Sequence, residues 1–515
     1  MRNRISIPNL YAPWVFGLLA VAIGVLSPAA AAEQGNRVVL IVLDGLRPDY
    51  VTPNLMPNLY AWGRNGVIFE KHHAAYPTVT RVNASSIATG AYPESHGIVD
   101  NSVYFPGVDP DRSLSTGDRA NLEKIDAQTG GRLLTATSLG EVLAAQGMKT
   151  AVFSSGSTGS AFLLNHKVQN GAIVNSGYVL PPALAGTLAP RLGPEPPDGA
   201  PNDERNARIV NAYLDYGLND MDAELSILWI SDPDHTAHEY GMANSRTTRA
   251  LRLVDDLLGK IASTLEASGR LANTNILVTS DHGFSTHIPP TDKGAALREF
   301  SAAHNLPENA IVQAGSCIYV KEPHKALVPA LVATLQATDW IGPLFTRAKS
   351  PGAPEGWVPG TLALDLIRGD HPERAPDIVL SSKWSDEEGA KGFRGTVATG
   401  GVAGHGSTSP WDIHNTLIAR GPDFASRRLV GIPTHNTDLA PTICYLLGVK
   451  PAETMRGRVL YEGMRASDPE PPAEVTREVI TAEQTLANGK RYHMDVTRSH
   501  YRGVAYFDQA RGTRE

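Results

Sequence analysis

The sequence predicts an α/β protein built on a mostly parallel central sheet, and three stretches carry that reading. The first is VVLIVL, residues 38–43, a wholly apolar run closed by Asp44-Gly45. A strand buried on both faces of a parallel sheet has this pattern, without the alternation of a half-exposed one. The second is SLGEVLAAQG followed by KTAVFSS, where Ser138 and Glu141 have capping-box spacing for a helix and the next strand follows at once. The third is the run from Thr247 to Gly269, in which Leu251, Val254, Leu258, Ile261 and Leu265 keep the three-and-four spacing of a buried helical stripe. NILVTS then supplies a further strand, ending at Asp281-His282.

The remaining segments fall around this frame. Residues 1–32 have the make-up of a cleaved signal peptide: Arg2 and Arg4, an apolar run from Trp14 to Leu26, and Ala30-Ala31-Ala32 before Glu33. The run is shorter than the ~20 residues that cross a bilayer. The protein is therefore expected to be exported, periplasmic or secreted, with no membrane anchor after cleavage. Residues 33–465 are expected to form the catalytic domain. Within it, the Pro-, Gly- and Ala-rich stretch from Leu180 to Asn202 reads as a surface loop near the site mouth. Residues from about 284 to 375 read as a cap insertion, with SCIYVKEP as a strand and HKALVPALVATLQAT as a helix, after which PDIVLS (376–381) returns to the core. Residues 466–515 form a C-terminal extension whose alternating YHMDVTRSHYRGVAYFD predicts a β-hairpin.

Bulk composition excludes more than it selects. The 515 residues are 42% hydrophobic and 19% charged, enough for a large core. Forty-six basic against 53 acidic residues give a net charge of -7, so the basic footprint of a nucleic-acid binder is absent and a polymeric DNA or RNA substrate is disfavoured. The two cysteines, Cys317 and Cys444, lie in apolar contexts and read equally as a disulfide formed after export or as two buried small side chains. They cannot make a clustered structural zinc site, so any metal ligands must be His and Asp. Oligomeric state leaves no visible signal.

Five short segments then stand out, because each ends an apolar run or a sharp turn with a side chain of metal-ligand type. They carry Asp44, Thr80, the pair Asp234 and His238, the pair Asp281 and His282, and His405. Carboxylates and imidazoles at the edges of hydrophobic strands are costly unless satisfied, and together they read as one site. Asp234 and His238 are four apart, so a helical turn puts them on one face. With Asp44, Asp281, His282 and His405 the set offers six ligands, three for each of two metals. His-plus-carboxylate ligation with open positions suits catalytic zinc, though manganese or iron takes similar ligands. Thr80 is the candidate nucleophile, placed before RVNASSIATG where a helix start would turn free N–H groups toward an anion. Taken singly, each has a plainer reading: Asp44 as a helix cap, Thr78 or Thr80 as an N-cap, His405 as a loop histidine. His72, His73, His96, His235 and His414 read as residues behind the site or on the surface rather than as ligands.

The run TRVNASSIATGAYPESHGIVDNSVYFP resembles the nucleophile segment of the nucleotide pyrophosphatase/phosphodiesterase family, within the alkaline phosphatase superfamily. Asp44-Gly45, Asp234-x-x-x-His238, Asp281-His282-Gly283 and Gly404-His405-Gly406 occur in that family's order, and the similarity covers most of residues 37–465. The resemblance implies an alkaline phosphatase-like α/β/α sandwich with a small inserted cap. It implies hydrolysis of phosphoric esters, of the phosphodiesterase or nucleotide pyrophosphatase type, on a small-molecule phosphate ester or nucleotide. It further implies two Zn2+, one held by Asp44, Asp281 and His282 with Thr80 toward it, the other by Asp234, His238 and His405. Thr80 would form a phosphothreonine that water then hydrolyses, and Asn101 would steady a non-bridging phosphoryl oxygen.

One position departs from the pattern. Many phosphodiesterases of this family carry an aromatic residue beside the nucleophile, where this chain has Arg81. A cation in a first helical turn opposes the macrodipole, so Arg81 is either a clamp on extra substrate charge or one half of a salt bridge. A phosphomonoesterase with the same site is thereby the alternative, with phosphonate cleavage a further one, and a catalytically silent metal- or phosphate-binding protein is the reading from another class. A sulfatase is disfavoured, since neither cysteine lies in a Cys-x-Pro-x-Arg context.

Overall fold

The computed structural model describes residues 37–289, 294–465 and 473–515; the expected signal peptide lies outside them. Its centre is a ten-stranded sheet. Five neighbouring strands run parallel, in the spatial order Thr274–Thr279, Arg37–Leu43, Leu225–Ile230, Thr150–Ser154 and Ala172–Asn175. Four of these are buried along their whole length and the fifth at all but its first residue, which is why they read as unbroken apolar runs rather than alternating ones. Antiparallel strands flank them, Leu417–Arg420 against Thr274–Thr279 on one side and Tyr178–Leu180 on the other. Beyond Leu417–Arg420, Val67–His73 pairs in parallel with Arg428–His435.

Helices cover both faces. Ser245–Ala267 buries Leu251, Val254, Leu258, Ile261 and Leu265 in one core, together with alternate residues of the first strand such as Val39 and Ile41. Val38, Leu40 and Val42 face the opposite core, which holds the helix Leu439–Leu446 and Leu139 and Leu143 of Leu139–Ala144. The capping box of Ser138 and Glu141 forms, with Ser138 N–H donating to the Glu141 carboxylate at 2.9 Å.

Three features differ from the expectations, and a fourth settles a choice that the sequence left open. The stretch from Leu180 to Asn202 contains a helix, Ala183–Leu192, because its Ala and Leu content outweighs Pro190 in the final turn; none of it lines the cavity at the site. PDIVLS does not return to the central sheet: Ile378–Ser382 lies between Cys317–Val320 and Ile341–Thr346 in a separate five-stranded sheet. A buried apolar strand reads alike in either sheet, so its sequence alone misassigns it. The C-terminal pair Arg491–Tyr501 and Val504–Arg514 is joined by a third strand, Thr476–Thr485, whose half-exposed edge position removes the apolar signal. Finally, Cys317 and Cys444 are both buried and free.

The C-terminal sheet docks firmly. The Tyr492 hydroxyl donates to Gly342 O at 2.9 Å, Trp384 Nε1 donates to Ala510 O at 2.6 Å, and Ala510 N donates to Thr408 O at 3.1 Å. Tyr492, Met494, Val496 and Ala510 are fully buried there. No helix among the described residues is long and apolar enough to cross a membrane.

Candidate active site

The loops that follow three adjacent parallel strands meet at one edge of the central sheet, the position where open α/β sheets bind ligands. Asp44 follows Arg37–Leu43, Asp234 opens the helix Asp234–Tyr240 after Leu225–Ile230, and Asp281 and His282 follow Thr274–Thr279. Gly45 allows their approach: its φ is +70°, its N–H donates to Asp281 Oδ1 at 3.1 Å, and a Cβ there would sit 3.0 Å from Asp234 Cβ. His405 arrives from a fourth direction, just after the short strand Ala403–Gly404.

The three histidines share one arrangement. Nδ1 of His238 donates to Ala403 O at 3.0 Å, Nδ1 of His282 to Gly283 O at 2.9 Å, and Nδ1 of His405 to Thr78 O at 2.8 Å. A backbone carbonyl only accepts, so each Nδ1 carries the proton and each Nε2 of the neutral ring presents its lone pair. Those lone pairs face carboxylates. His238 Nε2 is 3.2 Å and His405 Nε2 3.4 Å from Asp234 Oδ1, while His282 Nε2 is 3.0 Å from Asp281 Oδ2 and 3.5 Å from Asp44 Oδ1. The same three oxygens, Asp44 Oδ1, Asp234 Oδ1 and Asp281 Oδ2, are buried without a hydrogen-bond partner. Buried acceptors opposed to acceptors are repulsive unless cations stand among them, and this donor set fits divalent metal ions. Two overlapping groups, Asp234/His238/His405 and Asp44/Asp234/His282, have their ligand atoms within 4.8 Å of one another.

The electrostatics carry the same strain. Burial, together with the charges of Asp281 and Asp234, drives the Asp44 carboxyl well above its ordinary range. Burial also opposes ionisation of Asp234, but its pairing with His238, whose own pKa Asp234 raises, outweighs it and holds that carboxyl low. Burial and the neighbouring His282 keep His405 neutral.

Thr80 begins the buried helix Thr80–Thr89, and its Oγ1 lies 3.4 Å from His282 Nε2. The N-cap residue Val79 offers no side chain to this helix, and of the first-turn N–H groups that of Arg81 is taken by Asn101. Thr78 is not its cap; the Thr78 hydroxyl donates to Ser407 O at 2.9 Å and accepts from Gly406 N at 3.1 Å, tying the Thr80 loop to the His405 segment. Asn101 Oδ1 accepts from Arg81 N at 3.0 Å, which fixes the amide and leaves Nδ2 free as a donor. Thr80, Arg81, Asn101, Asp234, His238 and His405 line one cavity of about 470 Å³.

Several residues that organise the site left no signal in sequence. Asp100 accepts from Ser316 N and Oγ at 2.9 and 2.6 Å and from Asn101 N at 2.6 Å, fixing Asn101 against the neighbouring sheet. Asp232 accepts from Thr236 Oγ1 at 2.6 Å and Asn202 N at 2.8 Å, which sets the helix carrying Asp234 and His238. Asp412 accepts from Ser407 N and Oγ at 2.9 and 2.6 Å and so braces the loop after His405. A carboxylate that caps a loop from a distance looks like any surface Asp in a linear sequence. Of the five histidines set aside, His72, His73 and His96 are fully buried. His72 sits between Thr434 Oγ1 at 2.8 Å and Asn436 Oδ1 at 3.0 Å, and Asn436 Nδ2 donates to Asp281 O at 2.9 Å, so it supports a ligand loop from behind.

A hydroxyl at a helix start, facing clustered carboxylates and imidazoles at the carboxyl edge of a parallel sheet, defines an α/β protein with candidate metal-binding groups. The chain belongs to the type I phosphodiesterase/nucleotide pyrophosphatase family, whose model matches residues 38–385. It is 29% identical over 429 residues to venom phosphodiesterase 2 of Crotalus adamanteus, a match that covers 82% of this chain and 46% of that protein. It is 27% identical over 420 residues to ectonucleotide pyrophosphatase/phosphodiesterase family member 3 of Mus musculus, covering 81% and 42%. The chain thus spans less than half the length of these relatives. Its fold is similar to murine ectonucleotide pyrophosphatase/phosphodiesterase 5, solved as an inactive threonine-to-alanine variant in complex with AMP, with a TM-score of 0.56, 19% identity, and coverage of 83% of this chain and 98% of that one.

Proposed function

We propose that the protein is an exported, metal-dependent hydrolase of phosphoric esters, of the phosphodiesterase/nucleotide pyrophosphatase type, with Thr80 as its nucleophile. One observation carries this reading: three Nε2 lone pairs and three partnerless carboxylate oxygens converge beside the Thr80 hydroxyl. Asp44, Asp281 and His282 would hold one Zn2+ and Asp234, His238 and His405 the other. Bound there, the two ions would supply Lewis acidity toward the Thr80 hydroxyl and the phosphoryl oxygens.

The chain's own residues do the rest. The Thr80–Thr89 helix start presents the hydroxyl, at the positive end of the helix, to the phosphoryl group. Thr80 Oγ attacks phosphorus, the ester oxygen leaves, and water hydrolyses the resulting phosphothreonine to restore the hydroxyl. Asn101 Nδ2, its amide orientation set by Arg81 N, donates to a non-bridging oxygen as charge develops. The family's members acting on nucleotides, and the AMP bound by the structural neighbour, support a small phosphate ester or nucleotide as substrate. The net charge of -7 argues against a nucleic-acid polymer.

The test is hydrolysis of 4-nitrophenyl esters of phosphate and of a nucleotide by the zinc-loaded protein, with metal content measured in parallel. Thr80→Ala is expected to lose nearly all turnover while keeping its metal, because the six ligands are untouched. Full activity in that variant would remove Thr80 from its assigned role.

A further inference from the structure

Arg81 is the one Lys or Arg side chain lining the cavity, and among the described residues it forms no ion pair. Its Nε is buried without a hydrogen-bond partner, and no carboxylate of the described residues stands within ion-pair distance of the guanidinium. The carboxylates that act on it most are Asp44 and Asp234, which belong to the proposed metal sites, and then Asp100, which is taken up by Ser316 and by the Asn101 N–H. The salt-bridge reading left open by the sequence therefore has no partner. The guanidinium instead lies beside Gly117, where a Cβ would be 3.7 Å from Cζ and Nη2, an ordinary contact distance. A half-buried guanidinium whose inner nitrogen meets no acceptor is well placed for a ligand anion to complete it.

The cavity walls indicate which ligand. Apart from the metal-facing imidazoles they are Val79, Leu380, Val397 and small polar residues such as Ser316, Ser382 and Thr399. No phenylalanine, tyrosine or tryptophan among the described residues lines it, so a nucleobase finds no flat ring to stack on. Three ligand carboxylates and a deprotonated Thr80 would balance the charge of two divalent ions, leaving Arg81 and the Asp100 carboxylate held by Ser316 as the other charged groups, of which Arg81 is the one able to meet a substrate anion. A diester carries a single negative charge at the phosphoryl group, whereas a monoester carries up to two.

We infer that Arg81 is an anion clamp that selects substrates with a terminal phosphoryl group, so that within phosphoric esters the site favours compact monoesters over nucleoside diesters. This rests on the proposed hydrolysis of phosphoric esters at Thr80 and goes beyond it, moving the substrate preference from diesters to monoesters.

The experiment compares 4-nitrophenyl phosphate with methyl 4-nitrophenyl phosphate, which share a leaving group and differ by one charge. Arg81→Ala should lower kcat/KM for the monoester by about 10- to 100-fold, the scale of losing one charge-assisted contact, and change the diester less than about threefold. Arg81→Lys should recover part of the monoester rate. Equal losses on the two esters, or a larger loss on the diester, would overturn the clamp. A second readout needs no turnover: inorganic phosphate and dimethyl phosphate are titrated calorimetrically into two metal-loaded proteins, the Thr80→Ala variant and the double variant carrying Thr80→Ala with Arg81→Ala. Phosphate binding that is about tenfold or more weaker in the double variant, with dimethyl phosphate unaffected, supports the clamp; phosphate binding equal in the two proteins refutes it. If the unmodified protein hydrolyses neither ester, the hydrolase reading fails, while the titration still reports on Arg81.

Discussion

At the scale of single residues, the site works because each imidazole is oriented by a carbonyl that lies outside the ligand set. Ala403, Gly283 and Thr78 fix which nitrogen is protonated, and so decide that Nε2 faces the carboxylates. His72 shows the same logic one layer further back. Its two nitrogens are engaged by Thr434 and Asn436, and burial, the largest influence, lowers its pKa from 6.5 to about 3. A base with a depressed pKa in the fold gives stability that is present above its unfolded value and lost as pH falls. His72 should therefore contribute to acid destabilisation from about pH 6.5 downward to about pH 3. The unfolding midpoint of His72→Asn should shift less between about pH 7 and about pH 5 than that of the unmodified protein; an identical shift would count against this origin. Residues of the ligand type were legible in sequence because an apolar strand ending in Asp or His is conspicuous. Asp100, Asp232 and Asp412 were not, since their importance lies in which distant N–H groups they accept from.

At the scale of elements, the parallel strands and the long Ser245–Ala267 helix were readable because burial on both faces, or on one stripe, writes a strong periodicity. Which sheet Ile378–Ser382 joins was hidden, since a wholly buried apolar strand reads alike in either, and so was the outer strand Thr476–Thr485, whose residues are exposed or half-exposed throughout. The turns that join strand to ligand are equally demanding. Gly45→Ala would put a side chain on a backbone with φ of +70° and press it against Asp234 Cβ at 3.0 Å. The left-handed conformation alone costs roughly 1–2 kcal/mol for a non-glycine residue. The variant should melt earlier and bind less metal, measured by thermal unfolding and metal stoichiometry; unchanged values for both would show that the loop relaxes freely.

At the scale of the whole molecule, the catalytic edge of the central sheet is assembled from segments that span residues 44 to 405, and the parts of the chain that lie elsewhere hold them in register. The C-terminal sheet is one such part. It buries Tyr492, Met494, Val496 and Ala510 and reaches the Thr408 backbone and hydroxyl through Ala510. A chain truncated after Arg465 should lose its cooperative melt and its solubility, assessed by calorimetry and size-exclusion chromatography. A monomeric product with an unchanged melting midpoint would mean that the sheet is an appendage.

The link between Ala510 and Thr408 sits three residues from His405, and Ala510 belongs to the strand Val504–Arg514. A ligand loop is thus braced by a strand that leaves the ribosome well after it. The loop after His405 is therefore held from two sides, by Asp412 close in sequence and by Ala510 about a hundred residues on, so a lesion in the last strand can reach this imidazole without touching the cavity.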